Sequence, residues 1–206
     1  SYCTSTMSDA DGKLLFFTNG VSIMNKDFKI IKNGNRINPG SFMEQYNWTD
    51  DGLPMPQGTI TLSFPNNDSI YQLLHLDMWA KSQNNILSLY SPFYYSTINM
   101  KMNNGLGEAI NLNKPVNQND TVSVGQLTAC RHANGRDWWV LLKRPYQRIY
   151  SSYLVAEDTI VFKFDKLTIL TVITYNCTLA LMPLAKLIKD FFSYESILPY
   201  YFAFKI

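Results

Sequence analysis

Apolar and polar residues alternate in short runs from residue 13 to about residue 154, and clusters of Gly, Asn, Asp or Pro close each run. A period of two buries one face of a strand and wets the other, so the pattern predicts β-strands joined by hairpins. Strands are predicted around residues 13–18, 21–25, 59–64, 70–76, 94–100, 125–132, 137–142 and 148–154. The connecting signals are Asp9-Ala10-Asp11-Gly12, Asn19-Gly20, Asn33-Gly34, Pro65-Asn66-Asn67-Asp68 and Asn103-Asn104-Gly105. Each has a mechanism: Gly supplies positive φ, Asn and Asp bond their own backbone, and Pro pre-sets φ.

The sharpest local signal is the segment Arg131-His132-Ala133-Asn134-Gly135-Arg136-Asp137-Trp138-Trp139. Asn-Gly between two β-type runs predicts a type I′ turn with Asn134 and Gly135 as its two-residue loop. That register sets His132 opposite Asp137, Arg131 opposite Trp138 and Cys130 opposite Trp139. Side-chain alternation then gathers Thr128, Cys130, His132, Asp137, Trp139 and Leu141 on one face, and Leu127, Ala129, Arg131, Trp138, Val140 and Leu142 on the other.

Glycine usage divides the chain, because all ten glycines fall between Gly12 and Gly135. Residues 1–155 are read as an all-β region. Residues 156–206 are read as the last strand or strands followed by a hydrophobic, Gly-free tail. Residues 167–185 carry no charge, close to the length of a membrane span, but several Thr, Asn176 and Pro183 dilute their hydropathy. A buried strand followed by a helix over about 179–192 is preferred to a transmembrane helix. A third reading is a tail out of its native frame.

Composition narrows the function classes. An apolar content of 46% and an aromatic content of 14% belong to a chain that buries a core. The net charge is +2, and Lys and Arg are scattered, so no nucleic-acid stripe or polybasic segment is formed and neither nucleic acid nor membrane is an expected partner. Cys3, Cys130 and Cys177 lack metal-type spacing and make no disulfide framework. The chain begins at Ser1 without a charged and then apolar leader, as expected after signal-peptide removal or in a fragment.

The run Ser8-Asp9-Ala10-Asp11-Gly12-Lys13-Leu14-Leu15-Phe16-Phe17-Thr18-Asn19-Gly20, then Asn38-Pro39-Gly40, Pro56-Gln57-Gly58 and the 131–139 segment, resembles the amino-terminal part of large secreted β-propeller-like proteins of Bacteroidota. The resemblance covers residues 1 to about 153. Members commonly end in a type IX secretion sorting domain, which this sequence does not contain, and continue with Ser-Pro-Asp-Gly hairpins, which it also lacks. The implied fold is all-β, with antiparallel hairpins forming about three blades of a partial, open β-propeller and a hydrophobic C-terminal tail. Blades are expected over residues 4–31, 59–116 and from 122 onward. Because closed rings have about four to eight blades, an open edge would be left for self-association. The implied location is extracellular or on the cell surface.

Candidate chemistry centres on the 131–139 hairpin. Asp137 could orient His132 as a general base beside Thr128 and Trp139. A structural network of Thr128, His132, Asp137 and Trp139 that braces a blade is preferred, similar in composition though not in spacing to WD-repeat networks. Arg131 and Trp138 form a candidate cation–π pair and a candidate glycan-binding surface, with packing between blades as the preferred use of Trp138. No catalytic residue, metal ligand or cofactor is assigned.

Other features carry less. Asp9, Asp11 and Gly12 supply only a fragment of a calcium loop. Glu44, Asp50, Asp51, Asp77 and Glu108 are not paired as a glycosidase requires. Gly105-Leu106-Gly107 is too short for a phosphate loop. The Asn47, Asn67, Asn119 and Asn176 triplets match the glycosylation pattern by composition. His75 is read as a histidine at the edge of the core. The expected function is a binding or interaction module for a surface glycan or protein, with a propeller glycan hydrolase and a purely structural scaffold as alternatives.

Overall fold

The computed structural model describes residues 3–40, 52–83, 86–116, 121–145, 147–157 and 159–167. The described chain is all-β and folds into three antiparallel sheets. The first holds β1 (Ser5–Ser8), β2 (Leu14–Thr18) and β3 (Ile23–Asn25). The middle sheet holds β4 (Thr59–Ser63), β5 (Ile70–Leu76), β6 (Trp79–Gln83), β7 (Ile86–Asn99), β8 (Glu108–Pro115) and β9 (Thr121–Val122). The third holds β10 (Thr128–Arg131), β11 (Trp138–Lys143), β12 (Ile149–Ala156) and β13 (Thr159–Leu167).

Within the first and third sheets, neighbouring strands follow chain order, as in the meander of a propeller blade. The middle sheet has the same meander, β4-β5-β7-β8, with an extension: the N-terminal part of β7 leaves it to pair with β6 and β9. First strands of successive sheets meet. Ser5 Oγ on β1 lies 2.8 Å from Thr61 Oγ1 on β4, and the β10–β11 hairpin reaches Ser63 at the end of β4. Three such sheets form a partial, open series of propeller-like blades, although β9 carries the middle sheet past the expected residue 116 and the third sheet begins at Thr128 rather than near 122.

The middle sheet is apolar on both faces because it has a neighbour on each. Tyr71, Leu73, Ile98 and Ala109 pack against Phe16 and Ile23 of the first sheet and Ile31 and Ile37 of the loop after it. From the opposite face, Leu62, Leu74, Leu76 and Phe93 meet Val140, Leu142, Tyr153 and Val155 of the third sheet, with Cys3, Leu53 and Met55 completing the cluster. Hence β5 reads IYQLLHL, without the alternation of a half-wet strand. Leu73, Leu74 and Leu76 are all fully buried, each contributing roughly 2 kcal/mol.

Several local expectations change. The hairpin keeps its register, with Thr128, Ala129, Cys130 and Arg131 opposite Leu141, Val140, Trp139 and Trp138. Its turn is not the two-residue type I′ turn. Gly135 has φ 71°, but Asn134 is absent from the positive-φ residues, and the first backbone bond beyond the strands joins His132 N–H to the Asp137 carbonyl. The loop is therefore Ala133–Arg136, centred where the shorter one would be, which is why the register survives. β10 starts later than the expected residue 125, because Gln126 and Gly125 both take positive φ and break the strand. The strand expected over 94–100 is the C-terminal part of a longer β7. β13, at Thr159–Leu167, lies in the 156–206 region expected to open with the last strand or strands. The remainder of the tail, with its helical, transmembrane and out-of-frame readings, lies outside the described residues. Among the described residues, no helix is long and apolar enough to cross a membrane.

Candidate functional site

The 132–137 loop is held by its own side chains. Asn134 Oδ1 accepts the N–H groups of Arg136 and Asp137, both at 3.0 Å, which is an Asx turn. Its amide donates to Asp137 Oδ2 at 2.7 Å, and its own N–H donates to His132 Nδ1 at 3.1 Å. Arg136 grips the Asp137 carboxylate, with Nε 2.8 Å from Oδ1 and Nη2 3.3 Å from Oδ2. This guanidinium holds the Asp137 carboxyl below the usual carboxylate range, against the opposing effect of burial, with Asn134 assisting.

The expected network is thus regrouped. Asp137 is buried, and its carboxylate is engaged by Arg136 and Asn134, so orienting His132 as a base is not its role in this geometry. His132 lies half-buried with its ring 5.4 Å from that of Trp139, and its Nδ1 serves as an acceptor for the loop backbone. Thr128 is exposed, opposite Leu141 and away from the loop, where it does not brace the Asp137 cluster.

On the other face, the Arg131 guanidinium stacks 4.3 Å above Trp138. The same cation donates to the Gly135 carbonyl at 2.7 Å and to Ser63 Oγ at 3.3 Å. Trp138 donates its indole N–H to the Ser63 carbonyl at 3.0 Å and packs on the core shared by the middle and third sheets. The pair therefore forms a seam between sheets. Arg131, itself exposed, covers the outer side of the indole.

A second polar cluster lies inside the molecule. His75 on β5 is fully buried, with Nδ1 bonded to Asn38 Oδ1 and Nε2 2.9 Å from Ser96 Oγ on β7. Asn38 uses its amide on the Gly20 carbonyl at 2.9 Å, so its Oδ1 is the acceptor and His75 Nδ1 carries the proton. Nε2 must then accept from the Ser96 hydroxyl, whose oxygen also accepts the Asn113 N–H at 3.1 Å. Asn113 closes the circuit: its Oδ1 accepts the Asn38 N–H at 3.1 Å, and its amide donates to the Arg36 carbonyl at 3.0 Å. Burial pushes the His75 pKa down to about 3, so the ring is neutral.

The order serine, imidazole and amide is that of a nucleophilic triad, but its surroundings oppose that chemistry. Ser96, His75 and Asn38 are at most 1% exposed. A nucleophile must reach a substrate carbonyl, and the base must exchange a proton during the reaction. What the cluster does is tie the 32–40 loop to the middle sheet, with every hydrogen-bonding atom of the imidazole satisfied. His75 is therefore central to the core, not at its edge.

The remaining acidic candidates are also structural where described. Asp77 is buried and accepts from the Met78 N–H at 2.8 Å and the Trp79 indole at 2.9 Å. Gly40 packs so closely there that a Cβ would lie 2.5 Å from Asp77 Oδ1. Glu108 accepts from Lys32 and Asn33. Asp9 uses one oxygen to close its turn through the N–H groups of Asp11 and Lys13. Glu44, Asp50 and Asp51 lie outside the described residues. Among the described residues, no group of three or more His, Cys, Asp and Glu side chains could hold a metal ion. No family model, curated protein or solved structure matches the chain.

Proposed function

We propose that this chain is a propeller-type binding module, exposed on the cell surface or secreted, with no catalysis of its own and a surface glycan or protein as its partner. The observation that carries this reading is where the reactive residue types are used. The imidazole and hydroxyl of His75 and Ser96 are buried in the cluster that ties the 32–40 loop to the middle sheet, and the carboxylates of Asp77 and Asp137 are buried in bonds within their own turns. Recognition then falls to the exposed loops and strand edges that the stacked sheets hold rigid. The resemblance to secreted Bacteroidota propeller proteins supports the setting. The exposed Val161 and Phe162 on β13, the last strand of the third sheet, support self-association at an open edge.

A glycan array read together with reducing-sugar release tests the proposal. Saturable binding without new sugar ends is the expected result. Release of sugar ends would replace the module by a glycan hydrolase, and failure to retain any glycan or protein partner would leave a scaffold.

A further inference from the structure

Two turns remote in sequence lie side by side, and each carries exposed apolar side chains. In the first, Asn25 Oδ1 accepts the N–H groups of Asp27 at 3.0 Å and Lys29 at 3.1 Å, while Phe28 N–H donates to the Asn25 carbonyl at 3.0 Å. These bonds hold Phe28 at φ 60°, a conformation that bulky side chains avoid and that persists only where the surroundings impose it. Its ring sits edge-on to Phe17 at 5.4 Å and is still 74% exposed. The second turn is closed by the N–H groups of Gly105 and Gly107 on the Met102 carbonyl, both at 3.1 Å.

A parallel bridge between Lys32 and Glu108, with the Lys32 N–H donating to the Gly107 carbonyl at 3.3 Å, joins the two segments. The Asn25 amide reaches the Leu106 carbonyl at 3.5 Å. Ile30 is 54% exposed, and Met102 and Leu106 are each 40% exposed. Around them stand Lys26, Lys29 and Lys101, all exposed and none in an ion pair among the described residues. Lys32 is matched by Glu108, and Asp27 is the one acidic side chain on the two turns.

We propose that this surface docks on an anionic lipid bilayer, with Phe28, Ile30, Met102 and Leu106 entering the boundary between headgroups and acyl chains and the three lysines meeting anionic headgroups. Apolar side chains on turns insert shallowly, and unpaired lysines beside them complement negative surface charge. The lysines are separated in the sequence, and folding brings the turns that carry or flank them together. This contact is separate from glycan or protein recognition, which would survive its failure.

Co-sedimentation of the full chain with phosphatidylcholine vesicles, with and without phosphatidylserine, tests it. Binding should require phosphatidylserine and weaken with salt. Lys29→Gln and Lys101→Gln should each lower partitioning about fivefold. Phe28→Asn should lower it roughly tenfold while leaving the melting temperature equal or higher, because Asn tolerates the positive φ that strains Phe. Absence of sedimentation with phosphatidylserine vesicles overturns the proposal, as does unchanged binding by Phe28→Asn. A concentration-dependent dimer that Phe28→Asn dissolves, without vesicle binding, would instead make this surface a contact between copies of the chain.

Discussion

Replacing His75 by Gln removes the imidazole that joins β5, β7 and the 32–40 loop, and its cost should depend on pH in a defined direction. The folded pKa is about 3, against 6.5 for a free histidine. As pH falls below 6.5, the unfolded chain takes up a proton that the folded chain refuses. Stability from the neutral ring is therefore complete above 6.5, declines through the window, and levels off below about 3. The slope is about 1.4 kcal/mol per pH unit, so roughly 2 kcal/mol is lost by about pH 5 and up to 5 kcal/mol across the whole window. That is a large part of the roughly 5–15 kcal/mol that holds a domain together. Urea unfolding of the wild type and His75→Gln at a series of pH values isolates the effect, because the carboxylates titrate in both proteins and cancel. At neutral pH the variant should be less stable by roughly 2–3 kcal/mol, since Gln cannot meet Asn38 and Ser96 together. The gap should narrow on acidification, close between about pH 5 and pH 4, and reverse below that. A gap that stays constant between neutral pH and about pH 4 would refute the buried neutral imidazole.

Asp137→Ala should cost roughly 2 kcal/mol by urea unfolding, because it leaves Asn134 and Arg136 without their acceptor; the carboxyl is held low, so the cost is present above the unfolded carboxylate pKa and fades as pH falls through the folded one. Trp138→Ala should cost roughly 3 kcal/mol through the lost seam at Ser63, and a variant as stable as the wild type would mean that the indole is not packing between sheets. Gly125→Ala should lower the melting temperature sharply, since φ is 75° and a Cβ would lie 2.4 Å from the Pro56 carbonyl oxygen.

The three sheets were legible because their punctuation is local. Asp9, Asn19, Asn67 and Asn134 each bond backbone groups within four residues, so the sequence alone marks the turns. The hairpin register was legible for the same reason, whereas the turn type was not, because Asn134 acts through its side chain rather than through positive φ. β8 escaped notice: EAINLNKP is poor in strand-forming residues, and Asn113 takes φ 51° where the pairing with β7 is irregular. The role of His75 was hidden by distance, since its partners lie 37 and 21 residues away and nothing near it marks either one. The carboxylates were available by name, but only the packed structure reveals that Asp77 and Asp137 are already committed to neighbours.

The middle sheet is clasped between two others, and the buried His75 cluster serves that clasp. Hydrogen–deuterium exchange followed by mass spectrometry measures this directly. The strand β5, buried on both faces, should exchange slowest, and β13, which among the described residues ends the third sheet, should exchange far faster. Exchange of β5 as fast as that of β13 would contradict the stacked arrangement, and with it the assignment of the His75 cluster as its strut.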